Sequence, residues 1–293
     1  MLHIVHRLPP DKIGMVVDSG YDFPGKIQER LLEYGEGMWM FREQPHCQTT
    51  RALNLYYGEH RDFKYLTDRI RITPRDLEGT RLCRPHLLHF ICSPTRAKQI
   101  LTEVEDVTDW NPTTIYEPIP DSCIPESLPA LKEIMHLLDV LSPNAEEALN
   151  LLSLPLPPTR TTTEQAARVF LEFGIGTDGN GAIVIRSGHL GAFVLSRGRN
   201  GVWVDAYWTE TESDAQHVID VTGAGNSFLG GLAAGLVLSE GDMYEGKSDR
   251  SLERAHVLTT DVMTPNPRNP DWPNWNGDSP RRRLAELRTR LGK

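Results

Sequence analysis

Between an apolar pair, Val218-Ile219, and a run dominated by glycine, alanine and leucine lies the segment Asp220-Val221-Thr222-Gly223-Ala224-Gly225-Asn226. The run that follows, Ser227-Phe228-Leu229-Gly230-Gly231-Leu232-Ala233-Ala234-Gly235-Leu236, reads as a helix built from small residues. With no bulk at Gly223, Ala224 and Gly225, backbone can approach a ligand closely. Its N–H groups then stand at a helix N-terminus, where donors lack partners and the dipole is positive. Such a turn is an anion hole suited to phosphate. Tight packing of a helix on a sheet would account for the same glycines. Two other phosphate signatures fail: a dinucleotide G-x-G-x-x-G needs glycine at Phe228, and a Walker loop needs Gly-Lys-Ser/Thr.

The rest of the chain supplies the sheet on which such a turn sits. Short apolar runs at Ile13 to Val17, Leu87 to Cys92, Thr114 to Tyr116, Val140 to Leu141 and Ala182 to Ile185 read as buried strands. Helical patterns lie between them. Pro24 to Tyr34 puts Ile27, Leu31 and Leu32 on one face, and Pro129 to Leu138 does the same with Leu131, Ile134, Met135 and Leu138. Thr161 and Glu164 read as a capping box opening a helix from Gln165 to Phe173. The alternation predicts an α/β fold in which all five strands join one mainly parallel sheet, with functional loops at the carboxyl ends of the strands. Thr49 to Ile72 is polar, aromatic and β-prone, which suits a small lid or a surface hairpin. Thr264 to Pro280 is proline-rich loop, and Ser279-Pro280 opens a last helix from Arg281 to Leu291.

Composition narrows the function. The 293 residues carry 31 Lys plus Arg against 40 Asp plus Glu, a formal charge of −9. That balance argues against general nucleic-acid binding, which depends on neutralising phosphates. No apolar stretch reaches the ~20 residues of a membrane span. The first residues, MLHIVHRLPPDKIG, lack the apolar core and small-residue cleavage site of a secretory leader. Cys47, Cys83, Cys92 and Cys123 are scattered, with no C-x-x-C pair, which fits a reducing cytoplasm and thiols acting as small core residues. His86 and His89, three apart on a strand, point to opposite faces, so a structural role is expected rather than a metal pair. The basic terminal helix, with Arg281, Arg282, Arg283, Arg288, Arg290 and Lys293, reads as a solvated surface.

The segment DVTGAGN resembles the D-T-x-G-A-G-D signature of the pfkB, or ribokinase-like, carbohydrate kinases. Other segments agree in order. IGMVVDSGYDFPGKI is similar to the family's early V-G-x-D-x-x-G segment. Asn144 and Glu147 match its N-x-x-E motif, and Ile185 to Gly191 its T-x-G-x-x-G nucleotide loop, with Arg186 where threonine is usual. The wording SPNAEEA, EPIP and GAGNSFLGG resembles the fungal subgroup related to the maintenance-of-killer kinase-like protein. The resemblance implies a three-layer ribokinase-like sandwich over residues 1–293, with a β lid at about 49–72 and an irregular stretch over 241–280. It implies ATP as phosphoryl donor, held by Gly223, Ala224 and Gly225, with Gly188 and Gly191 beside the nucleotide. Asn144 and Glu147 would organise Mg²⁺ through water. Asp220 and Thr222 would lie at the cofactor, and backbone around Asp220 holds a monovalent cation in some relatives. The implied partner is a small sugar or nucleoside-like substrate, with a homodimer formed through the lid.

The departures matter equally. The signature's last Asp is the family's general base, and here the position is Asn226. An amide cannot take a proton from a hydroxyl near pH 7, and losing a general base costs about 10²–10⁴-fold in rate. Only twelve residues precede Ile13, so the family's first strand is expected to be missing and the sheet to have an incomplete centre or an unpaired inner edge. The stretch from Gly241 to Met263 is polar where the family has an apolar helix lining the adenine pocket. Two readings follow: an ATP-dependent small-molecule kinase slowed by Asn226, and a pseudokinase that binds nucleotide or a partner.

Overall fold

The structure is a computed structural model describing residues 10–57, 60–208, 218, 221, 223–241, 263–264, 274–275, 282 and 289. The chain divides into two compact units, one reaching to Cys83 and the other running from Arg84.

The first unit holds β1 (Met15–Gly20), α1 (Gly25–Leu32), β2 (Trp39–Gln44), β3 (Ala52–Tyr57) and β4 (His60–Tyr65). β1 and β2 form a parallel pair in which Asp18 lies opposite Arg42. Arg42 Nε and Nη2 donate to the two Asp18 carboxylate oxygens at 2.8 and 3.0 Å, and Gln44 adds a third donor at 3.0 Å. β3 and β4 are an antiparallel ribbon closed by His60 opposite Tyr57, the hairpin expected within Thr49 to Ile72. The first expected strand begins two residues later than predicted, and it does not join the main sheet. It pairs with β2 in a sheet of two strands. The expectation of five strands in one sheet is corrected to four. Trp39 to Gln44, the partner strand, is too polar in its second half to register as a buried run.

The second unit is built on β5 (Leu87–Cys92), α2 (Pro94–Glu105), β6 (Thr113–Pro118), α3 (Leu128–Ile134), β7 (Val140–Leu141), α4 (Ala145–Leu151), α5 (Arg160–Glu172), β8 (Ala182–Arg186), β9 (Ala192–Ser196), β10 (Val202–Val204) and α6 (Ala224–Gly241). Six strands form one sheet in the order β10-β9-β8-β7-β6-β5. β5 to β8 are parallel, joined by helical crossovers, and β9 and β10 turn back antiparallel. This is the α/β architecture expected, with a mainly parallel centre.

Local sequence explains the elements. α2 starts where Ser93 accepts the Arg96 N–H and Pro94 fills the first helical position, where no donor is needed. Leu131, Ile134, Met135 and Leu138 are all fully buried, as their helical spacing predicts. Ala166, Ala167 and Phe170 of α5 join them in the core with Tyr116, Leu141, Ile183 and Ile185. Burial pushes the Tyr116 phenol well up, and its hydroxyl donates to the Cys92 carbonyl at 2.9 Å.

α5 begins earlier than the sequence suggested. Its cap is Thr159, boxed with Thr162, and the helix runs Arg160–Glu172. It starts as soon as Pro157-Pro158 ends. Glu164 is released from capping; it accepts from Arg168 and Trp203 Nε1, each at 2.9 Å. The thiols also differ from expectation: Cys123 is buried, Cys83 and Cys92 are half-buried, and Cys47 is exposed. Inside the proline-rich stretch, Met263–Thr264 pairs with Asn274–Trp275 as a two-residue ladder, so that part is not loop. Apart from Arg282 and Thr289, the expected helix from Arg281 to Leu291 lies outside the described residues, as do 242–262. No helix among the described residues is long and apolar enough to cross a membrane.

Candidate active site

The carboxyl ends of β6, β7 and β8 converge on Arg186, the last residue of β8. Asn144 bridges to Arg186 as a parallel neighbour, and Arg186 N–H donates to the Pro143 carbonyl at 3.1 Å. The guanidinium is held on one side. Nη2 donates to Glu117 Oε1 at 2.6 Å and to the Ser142 carbonyl at 3.0 Å, and lies 3.8 Å from Glu147 Oε2. His89 Nε2 stands 3.5 Å from the other Glu117 oxygen. His89 thus lies half-buried in the charge cluster around Arg186.

Burial and charge pull the two acids apart. Burial alone would raise Glu117, but the His89 contact and the Arg186 cation hold it below the ordinary carboxylate value. Glu147 is pushed up to about 7, because burial outweighs both Arg186 and the Asn144 N–H.

Asn144 and Glu147 face each other. Asn144 N–H donates to Glu147 Oε2 at 2.7 Å, and Glu147 N–H donates to Asn144 Oδ1 at 2.8 Å. This is a complete capping box opening α4. It leaves a poor site for direct Mg²⁺ ligation. The Asn144 oxygen is occupied, Glu147 is only 7% exposed, and a guanidinium already stands beside it. Among the described residues no set of three His, Cys, Asp or Glu comes together to hold a metal ion.

On the other side of Arg186 is the small-residue turn. Gly223 has φ +84°, with open space where a Cβ would stand, so it supplies the left-handed step into α6. Ala224 N–H donates to the Val221 carbonyl at 3.1 Å, and Ser227 N–H to that of Gly223 at 2.9 Å. The N–H groups of Gly225 and Asn226 belong to the first turn of α6, where donors lack a partner within the helix. Gly225 is helical, and its need for glycine is steric: a Cβ there would collide with Arg186 Nη1. Asn226 is exposed at the mouth of this turn. Asp220 and Thr222 lie outside the described residues.

Gly188 and Gly191 bound a short turn between β8 and β9, with φ +55° and +97°. A Cβ on Gly188 would meet open space, whereas one on Gly191 would strike the Val204 carbonyl. Gly191 is therefore required by packing of the chain on itself. A cavity of about 350 Å³ opens elsewhere, at the amino ends of β6 to β8, lined by Thr114, Asp139 and Gly181 among others. The Thr114 N–H and hydroxyl are both spent on Asp139, at 2.8 and 2.9 Å, and ligands of parallel sheets bind at the opposite ends.

The sequence signature of the pfkB family carbohydrate kinases matches residues 86–259, more than half the chain. The chain belongs to the pfkB family of carbohydrate kinases. It is 33% identical to Protein MAK32 of Saccharomyces cerevisiae over 241 residues, which cover 77% of this chain and 65% of that protein. It is 28% identical over 288 residues to the uncharacterized protein C16C9.01c of Schizosaccharomyces pombe, covering 94% and 79%. Both relatives are fungal, in line with the maintenance-of-killer-like subgroup. The pfkB fold is visible in three dimensions as well. Arabidopsis thaliana ribokinase, in complex with ribose and ATP, superposes with a TM-score of 0.62 at 17% identity, covering 98% of this chain and 85% of that one.

Of the residues expected at the pfkB site, the structure gathers Asn144, Glu147 and Gly225 around Arg186. Glu117 and His89 complete the cluster and were not assigned to it from sequence. Glu117 was visible only inside the EPIP wording, and Arg186 only as a mismatch to threonine.

Proposed function

We propose that this chain binds the phosphates of ATP at the turn from Gly223 to Asn226, and that transfer to a sugar or related hydroxyl is slowed by Asn226. The observation that carries the reading is the first turn of an 18-residue helix, where the N–H groups of Gly225 and Asn226 have no partner within the helix. Donors fixed toward a transferring phosphoryl group are the main device of such chemistry. Gly188 is free to admit the nucleotide beside the same strand end. Asn226 can donate to or orient a hydroxyl but cannot remove its proton. That exposed amide favours a second reading, a pseudokinase that retains nucleotide without useful turnover.

The reading has two tests. Gly225→Val should weaken ATP binding by about tenfold or more, because its side chain would displace the Arg186 guanidinium and cover the free N–H groups. Unchanged affinity in the folded variant, by calorimetry, would remove the turn from the site. Asn226→Asp restores a carboxylate at the mouth. Turnover on a panel of sugars and nucleosides should rise by about 10²-fold if a substrate is held within reach of it. No rise, with ATP still bound, favours the pseudokinase.

The same reading places the chain in the cytoplasm, supported by its four free thiols. It treats residues 1–293 as one ribokinase-like domain, with the β3–β4 hairpin as lid and homodimer contact.

A further inference from the structure

Glu147, expected to organise Mg²⁺, spends one oxygen on the Asn144 N–H and is shielded from solvent. The neighbouring cation comes from the chain itself. We propose that the Arg186 guanidinium takes the place of the divalent metal, so that this chain binds the phosphates of ATP without Mg²⁺. The inference rests on the reading that the turn from Gly223 to Asn226 takes nucleotide phosphates.

Three observations carry it. First, the guanidinium is fixed. Glu117 at 2.6 Å and the Ser142 carbonyl at 3.0 Å both hold Nη2. Second, the opposite corner faces the anion hole. Nη1 packs against Gly225 closely enough to exclude any side chain there, and the bonds to Glu117 and Ser142 run from Nη2 instead. Nε is buried and has no hydrogen-bond partner among the described residues. A cation beside a helix N-terminus is electrostatically unfavourable unless an anion lies between them. A phosphate oxygen there would accept from Nη1 and from the Gly225 and Asn226 N–H groups together, a set of charge-assisted bonds. Third, the same guanidinium opposes a metal. A divalent ion at Glu147 would stand close to a fixed positive charge, and in a poorly solvated cluster that repulsion is only weakly screened.

The test is the affinity of the full-length protein for ATP, by calorimetry, in excess EDTA and in excess MgCl₂. The expected result is the same affinity within about threefold in both, because the protein's own cation neutralises the phosphate. Arg186→Lys should lower it by about tenfold, since a point charge on a shorter stem cannot keep both Glu117 and the phosphate. Replacing arginine with a neutral group alone leaves buried carboxylates uncompensated, so the second variant is the pair Arg186→Thr with Glu117→Gln. That protein, checked for folding by circular dichroism, should bind ATP only when Mg²⁺ is added. Binding by the unmodified chain that requires Mg²⁺ overturns the inference and leaves the nucleotide-binding reading intact. Absence of binding under both conditions overturns both.

Discussion

Glu147 shows what a single side chain carries in this fold. Its carboxyl is raised to about 7 in the folded chain from an ordinary value of 4.5. Below pH 4.5 both states hold the proton, and the residue adds no pH dependence. Between 4.5 and 7 the unfolded chain releases the proton while the folded chain keeps it, so stability falls as pH rises; above 7 the loss is complete. Glu147→Gln retains an oxygen for the Asn144 N–H and has no proton to lose. Between pH 4.5 and pH 8 its stability relative to the parent should therefore rise, by up to about 3 kcal/mol. Urea midpoints of both proteins at the two pH values check this, and parallel pH profiles would contradict it. The motif residue Glu147 was legible in the sequence, but its environment was not. Its burial and its neighbours Arg186 and Glu117 come from strands dozens of residues apart.

At the scale of elements, the caps decide where helices begin. Asn144 satisfies the Glu147 N–H at the start of α4, and Thr159 does the same for Thr162 at the start of α5. Asn144→Ala and Thr159→Ala should each cost about 1 kcal/mol in chemical denaturation, with Asn144→Asp close to neutral. The Asn144 box was readable because Asn and Glu stand three apart directly after a two-residue strand. The α5 box lies two residues before the position the sequence predicts, because three consecutive threonines before a glutamate offer several equivalent caps. Only the three-dimensional position of Glu164, drawn to Arg168 and Trp203, removes the ambiguity. The same limit applied to the glycines. Spacing gave Gly223 and Gly225 one role, whereas one is needed for its φ and the other for the guanidinium against it.

For the molecule as a whole, the alternation of apolar runs with amphipathic ones was enough to give a mainly parallel α/β sheet. It was not enough to assign the first strand, since pairing depends on a partner, β2, whose polar half hides it. The consequence is that β5 ends its sheet, with no strand on its outer side among the described residues. Ile91 on β5 is 46% exposed. An apolar edge of this kind recruits other chains, and charge placed on it prevents that. Ile91→Lys should leave the free energy of unfolding within about 0.5 kcal/mol of the parent, as exposed substitutions do. It should also reduce the light scattering of the purified protein; unchanged scattering would show that association proceeds through another surface.

The Arg186 cluster also constrains the order in which this chain could change over generations. Threonine at 186 alone would leave Glu117 and Glu147 facing each other in a buried space. Breaking such a pairing costs about 3–5 kcal/mol. A typical domain has only about 5–15 kcal/mol in total. A lineage could therefore reach threonine at this position most easily after position 117 had lost its charge. Until then the arginine is locked in by its neighbours, whatever selection acts on the reaction.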